Sequence, residues 1–151
     1  MIIRGVSLEA EQARSCLLKS LLSPINIEDY YWYLPLDQEE VWTRPDGEAF
    51  FIKDTYSGTE LEELINSDHF IVFLRIEAYK KLEEISFFNS FDDYSKSHCQ
   101  IVLLICDCEY IEFYIKDEKL ARKVYKSHIK EFQNVKYITD ENDTRTGMKI
   151  L

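Results

Sequence analysis

The polar run YITDENDTRTGM, residues 137–148, carries residue types that suit several chemistries. Asp140, Asn142 and Thr144 alternate like the first oxygen ligands of an EF-hand calcium loop. That loop needs Gly at its sixth position and a bidentate Glu at its twelfth, where this chain has Arg145 and Leu151. The calcium reading fails on both requirements, and no metal is assigned. Two readings stand. In one, the stretch is a polar loop after a strand, its Asp and Asn side chains bonding to nearby backbone. In the other it is a ligand surface, where Arg145 clamps an anion or carboxylate and Asp140 or Asp143 orients it.

His98, Cys99, Cys106 and Cys108 have the side chains of a zinc site. If residues 99–106 form one strand, its ends lie about 23 Å apart at ~3.3 Å per residue. Zinc–sulfur bonds are only ~2.3 Å, so one ion cannot be reached from both ends. Cysteines packed as small hydrophobes account better for this spacing. A nucleophilic pair would need Cys99, Cys106 or Cys108 beside His69, His98 or His128, a contact that spacing alone does not supply. No phosphate loop, dinucleotide fingerprint, GxSxG or HExxH occurs, and no cofactor is assigned.

Two surfaces could recognise a partner. Tyr30-Tyr31-Trp32-Tyr33 is the densest aromatic cluster; on a strand, Tyr30 and Trp32 face one way and Tyr31 and Tyr33 the other. One pair can fill a core, which leaves Tyr31 and Tyr33 as candidate partner-binding residues. Lys119, Lys123, Lys126 and Lys130 form a basic stripe opposite Leu120, Val124 and His128, either a solvated helix face or a dock for an acidic partner, a second copy included.

These groups must be positioned by 151 residues, the usual size of a single domain. The composition, 46% hydrophobic and 14% aromatic with four Gly and three Pro, is that of a globular chain. Net charge is −10, with residues 1–75 at −8 (6 basic, 14 acidic) and residues 76–151 at −2 (12 basic, 14 acidic). That balance argues against nucleic-acid binding, which draws its affinity from concentrated basic surface, and against anionic membranes. The N-terminus lacks signal-peptide features, and the longest apolar run, Ile101 to Cys106, is too short for a bilayer span. Four cysteines in a chain of this length do not make a secreted disulfide framework, so the expected compartment is the cytoplasm.

Periodicity predicts a strand at Ile2–Val6, then a helix capped by Ser7 with Ala10, Ala13, Leu17 and Leu21 on its apolar face, closed by Pro24. Strands follow at Ile27–Leu34, Glu40–Thr43 and Ala49–Lys53, the last two flanking an Arg44–Gly47 turn. Thr59 and Glu62 suggest a capping box for a short helix. Phe70–Ala78 reads as a central strand covered on both faces. Ser90 and Asp93 cap a helix over Phe91–Ser97. Gln100–Cys106 and Tyr110–Lys116 form an antiparallel pair, Asp117 caps a helix to about Phe132, and Val135–Thr139 is a final strand. The fold class is α+β, a mixed and mostly antiparallel sheet packed with three to four helices in a single domain over 1–151.

SPINIEDYYWYL, QIVLLICDCEYIEFYIKD and YITDENDTRTGM together resemble an uncharacterised family, a domain of unknown function, of small proteins from spore-forming Gram-positive bacteria. The resemblance covers nearly the whole chain. It implies a bacterial cytoplasmic protein and brings no activity, cofactor or catalytic residue. The family pattern has a small polar turn where this chain has Cys108, which weakens any site built on Cys106 and Cys108. The expected function is a non-enzymatic protein-interaction or regulatory module that binds a protein partner, homo-oligomerisation included. The alternative is a small-ligand binder or enzyme using Asp140, Asp143 and Arg145.

Overall fold

The apolar run after Asp68 becomes the longest strand, and the sheet is arranged about it. In the computed structural model, which describes residues 1–11 and 14–150, the elements in chain order are β1 (Ile3–Glu9), α1 (Leu17–Leu22), β2 (Tyr31–Tyr33), β3 (Glu39–Thr43), β4 (Thr55–Ser57), α2 (Gly58–Leu64), β5 (His69–Tyr79), α3 (Phe91–Lys96), β6 (Ile101–Cys106), β7 (Tyr110–Ile115), α4 (Glu118–His128) and β8 (Gln133–Thr139). One eight-stranded sheet runs β4-β2-β5-β6-β7-β1-β8, with β3 paired to β5 as well. Every strand pairing among the described residues is antiparallel, so the α+β expectation holds with no parallel pair.

Alternation along the strands divides the core. One face gathers Val6, Leu8, Trp32, Leu74, Ile76, Leu103 and Phe113 beneath α1, α2 and α4. The other gathers Tyr79, Val102, Leu104 and Tyr114 with Phe88, Tyr94 and Met148 from α3 and the chain around it. In α4, Ala121, Val124 and His128 are buried, while Lys119, Lys123 and Lys126 are exposed, as the basic stripe requires. Gly5 lets β1 approach β7 closely: a Cβ there would lie 1.7 Å from the Phe113 carbonyl oxygen.

Four local readings are corrected by packing. The first strand continues through Ser7 to Glu9, because Val6 and Leu8 are buried and β1 is paired on both sides, with β7 and β8. The first helix therefore starts only at Leu17, after Cys16 with φ 54°; Ala13 lies outside the described residues. The stretch 27–34 begins as a 3-10 turn, Ile27–Asp29, whose Ile27 carbonyl accepts the Trp32 indole N–H at 3.0 Å, and only Tyr31–Tyr33 pairs as strand. Ala49–Lys53 makes a single bridge, Ala49 to Trp42. Phe50 and Phe51 are both buried, which a half-exposed strand cannot arrange, and the pairing passes instead to Thr55–Ser57. The capping box sits two residues earlier than expected: Ser57 Oγ accepts from Glu60 N–H (3.2 Å) and Glu60 Oε1 accepts from Ser57 N–H (2.9 Å).

The strand Phe70–Ala78, the Ser90 cap of α3, the antiparallel β6–β7 pair and the Asp117 cap of α4 all stand as expected. Between β6 and β7, Asp107 and Cys108 both take positive φ (53° and 64°), and Glu109 N–H closes the turn on the Cys106 carbonyl at 3.2 Å. This is the mirror-image turn that suits hairpin twist.

Ser57→Ala should cost about 1 kcal/mol in urea unfolding, as loss of an N-cap does, whereas Thr59→Ala should change little. The buried imidazoles give a second expectation. Burial lowers the pKa of both His69 and His128 below the ordinary imidazole value. Below a pH of about 6.5 the unfolded chain takes up protons that the folded one refuses, so stability falls as pH drops, by up to about 1.4 kcal/mol per pH unit for each imidazole. Urea midpoints measured from pH 7.5 to 5.5 should decline, and His128→Gln should flatten the decline.

Candidate functional site

A residue of β5 changes the side to which its neighbours point. Glu40 pairs with Phe73 but Val41 pairs with Ile71, so Val72 is bulged out of register. Beyond it Leu74, Ile76 and Ala78 enter the helix-covered core, and Arg75, Glu77 and Tyr79 point to the opposite face. Arg75 and Glu77 are almost fully buried, at 4% and 1% exposure. Nothing in the period-two reading of an apolar strand anticipated this pair; the available signal was two opposite charges at i and i+2, which share a face.

The pair is closed by hydrogen bonds. Arg75 Nε donates to Glu77 Oε2 at 2.8 Å, Nη2 to the Phe88 carbonyl at 2.8 Å, and Nη1 to the Met148 carbonyl at 3.2 Å. Tyr79 donates its hydroxyl proton to Glu77 Oε1 at 2.7 Å. Burial pushes the Glu77 carboxyl upward, and Arg75 with Tyr79 opposes that shift. β2 lies alongside, with Tyr31 opposite Tyr79 and Tyr33 opposite Glu77. Of the candidate pair, Tyr31 is 39% exposed and Tyr33 is half-buried. Tyr33 lines a cleft of about 420 Å³ with Pro35, Ile85, Phe87 and Asn89, floored by Arg75 and Glu77. Phe87, at 88% exposure, leaves apolar surface at its rim. Burial and the carboxylates of Asp54, Glu77 and Asp37 push the Tyr33 phenol up, so it stays neutral.

The C-terminal run crosses the same face. Asn142 caps the end of the outer edge of β8: its Oδ1 accepts Thr139 N–H at 2.8 Å and its Nδ2 donates to the Tyr137 carbonyl at 3.0 Å. Asp140 Oδ1 accepts the Ile2 N–H at 2.8 Å, a bond that lowers its pKa. Asp143, its side chain 3% exposed, pairs with Arg4 at 3.0 Å and accepts the Tyr114 hydroxyl proton at 3.0 Å. Arg145 pairs with Glu112, with Nε to Oε1 at 3.1 Å, and donates Nη1 to the Gly147 carbonyl at 3.2 Å. Farther on, Met148 N–H donates to Asn89, and Ile150 N–H to Gln38 Oε1 at 2.8 Å. Asp143 and Arg145 thus lie within one hydrogen-bonded loop beside a cleft of about 620 Å³, while Asp140 faces the start of β1.

The thiols and imidazoles stand apart. Cys99 precedes β6 and Cys106 ends it, so the strand separates them as its length requires. Burial raises the thiol pKa of Cys99, Cys106 and Cys108, with Asp107 adding to the rise at the last two. His69 uses both ring nitrogens, Nδ1 with the Ser67 carbonyl (2.8 Å) and Nε2 with Leu18 N–H (3.1 Å). His128 Nε2 meets the Leu21 carbonyl at 3.0 Å. His98 is exposed, 3.4 Å from Glu84.

Residues 3–149 match the family described as "Protein of unknown function (DUF2691)". The chain belongs to this family. It is similar to the uncharacterised protein YncE of Bacillus subtilis (strain 168), with 28% identity over 155 residues covering 97% of this chain and 99% of that protein. The family resemblance read from the three sequence stretches is therefore borne out. No solved structure matches. Among the described residues, no helix is long and apolar enough to cross a membrane.

The Arg75–Glu77 pair makes a sharp stability prediction. Arg75→Met strands a buried carboxylate and two carbonyls, and should destabilise the protein by about 3–5 kcal/mol in urea unfolding. Arg75→Met/Glu77→Gln should recover part of that loss, a coupling that a double-mutant cycle reads directly.

Proposed function

We propose that this chain is a single-domain, non-enzymatic binding module of the bacterial cytoplasm that recognises a protein partner at the cleft beside β2 and β5. The observation that carries the reading is the cleft itself. Tyr33, Pro35, Ile85 and Phe87 border it, Tyr31 continues the same strand face, and Phe87 is almost fully exposed. Aromatic anchors at the mouth of a preformed cleft are the usual energetic centre of a protein interface. The non-enzymatic part is supported by the floor, where Arg75 and Glu77 are held by Tyr79 and two backbone carbonyls and so are set to shape the cleft. The bacterial part is supported by the likeness to a Bacillus subtilis protein, and the cytoplasmic part by four cysteines in the free state.

A second reading, small-ligand binding at the C-terminal loop, is favoured by the 620 Å³ cleft that Asp143 and Arg145 line. That volume falls in the range of small-molecule sites.

Immobilised wild-type protein should retain a discrete partner from Bacillus lysate, identified by cross-linking. Tyr33→Ala/Phe87→Ala should weaken capture about 30-fold, as loss of roughly 2 kcal/mol at an aromatic anchor does. Tyr31→Ala should weaken it less. Equal retention by the folded double variant would count against this face.

A further inference from the structure

The floor of the larger cleft is a row across three strands. Ser7 of β1 lies opposite Glu112 of β7 on one side and Lys136 of β8 on the other. The run 142–149 forms the wall, bringing Arg145, Thr144, Thr146 and Lys149 to the same space. The acids of this cleft are already matched: Glu112 by Arg145 and Asp143 by Arg4. Lys136 and Lys149 are not. Among the described residues neither ammonium is ion-paired, and the Ser7 hydroxyl makes no hydrogen bond. Arg145 spends one N–H of each nitrogen on Glu112 and Gly147, which leaves a second N–H on each terminal nitrogen. A chain of net charge −10 therefore holds a concave surface with two uncompensated positive charges and free hydroxyls.

From this we infer that the cleft binds a small phosphate monoester, with Lys136 and Lys149 holding the phosphate and the Ser7, Thr144 and Thr146 hydroxyls facing a polar body. The inference rests on the small-ligand reading above and names its ligand class. Charge selects the class. A phosphate monoester carries about −1.5 to −2 at neutral pH, matching two ammoniums, whereas a single carboxylate leaves one unmatched. Volume selects the body. A site of about 620 Å³ exceeds what inorganic phosphate alone would fill, so the affinity of a phosphorylated metabolite should exceed that of the bare ion. The internal ion pairs fix the wall in place, so little ordering is left for the ligand to impose.

The test is thermal shift and titration calorimetry on the full chain at matched ionic strength. The probes are inorganic phosphate, glucose 6-phosphate and AMP, with glucose, adenosine, citrate, amino acids and spermidine beside them. A phosphorylated probe should raise Tm by several degrees and its dephosphorylated counterpart should not. Lys136→Ala/Lys149→Ala should weaken binding at least about tenfold, while Lys123→Ala/Lys126→Ala on the exposed face of α4 should leave it unchanged. Amide shifts of wild-type protein on adding the phosphorylated probe should map to Ser7, Thr144 and Gly147, a readout independent of any variant. Failure of every phosphorylated probe, or equal binding by the Lys136/Lys149 double variant, would overturn the inference. If an unphosphorylated probe alone bound and shifted those same amides, the small-ligand reading would survive without it; silence from the whole panel would remove both.

Discussion

A guanidinium and a carboxylate placed inside a sheet must be fully satisfied, and the face of the sheet opposite α1, α2 and α4 is arranged to do so. Arg75 and Glu77 occupy the central strand, where desolvation would be severe for either alone. The Tyr79 hydroxyl, on the same strand, completes the carboxylate, and the remaining bonds of Arg75 fall on groups from other segments: the carbonyl of Phe88 before α3 and the carbonyl of Met148 near the C-terminus. The pair thereby fixes where two irregular segments cross the sheet. Apolar contacts of Phe88 and Met148 fill the space around it but are not directional, so the hydrogen bonds set the register of those crossings.

The two faces are built on different physics. Under α1, α2 and α4 the core is aliphatic and aromatic, and it encloses two separate imidazoles: His69 bonds to backbone through both ring nitrogens, and His128 through Nε2 alone. The opposite face is held by a short helix, loops and a chain end through polar links: Arg4 with Asp143, Arg145 with Glu112, Tyr114 with Asp143. Arg4 also lies over the Phe91 ring at 3.9 Å, tying α3 to the same network. Irregular backbone over a sheet leaves concavities that a packed helix would fill, and both clefts open on this side.

Sequence periodicity was a good guide where one element satisfied itself locally. The alternation of Ile111, Phe113 and Ile115, the Ser90 and Asp117 caps, and the run after Asp68 each contain their own evidence of strand or helix. It failed where a neighbour in space decided the outcome. Ser7 reads as a cap, yet it lies in a strand because partners on both sides pair with it. Phe50 and Phe51 look like strand residues but both turn inward. At the candidate sites, the split of Tyr31 and Tyr33 from Trp32 followed from alternation alone. The Arg75–Glu77 pair did not, because its partners come from segments 13 and 73 residues away.

The dense polar stretch near the C-terminus serves first as architecture. The amide of Asn142 takes the N–H and C=O that a ninth strand would use on β8, standing in for a neighbour that never arrives. An outermost strand left bare would be a template for another molecule's backbone. One side chain thus blunts the end of this edge at Tyr137 and Thr139, and its loss would be felt less by an isolated molecule than by a crowded solution, as a tendency to polymerise edge to edge.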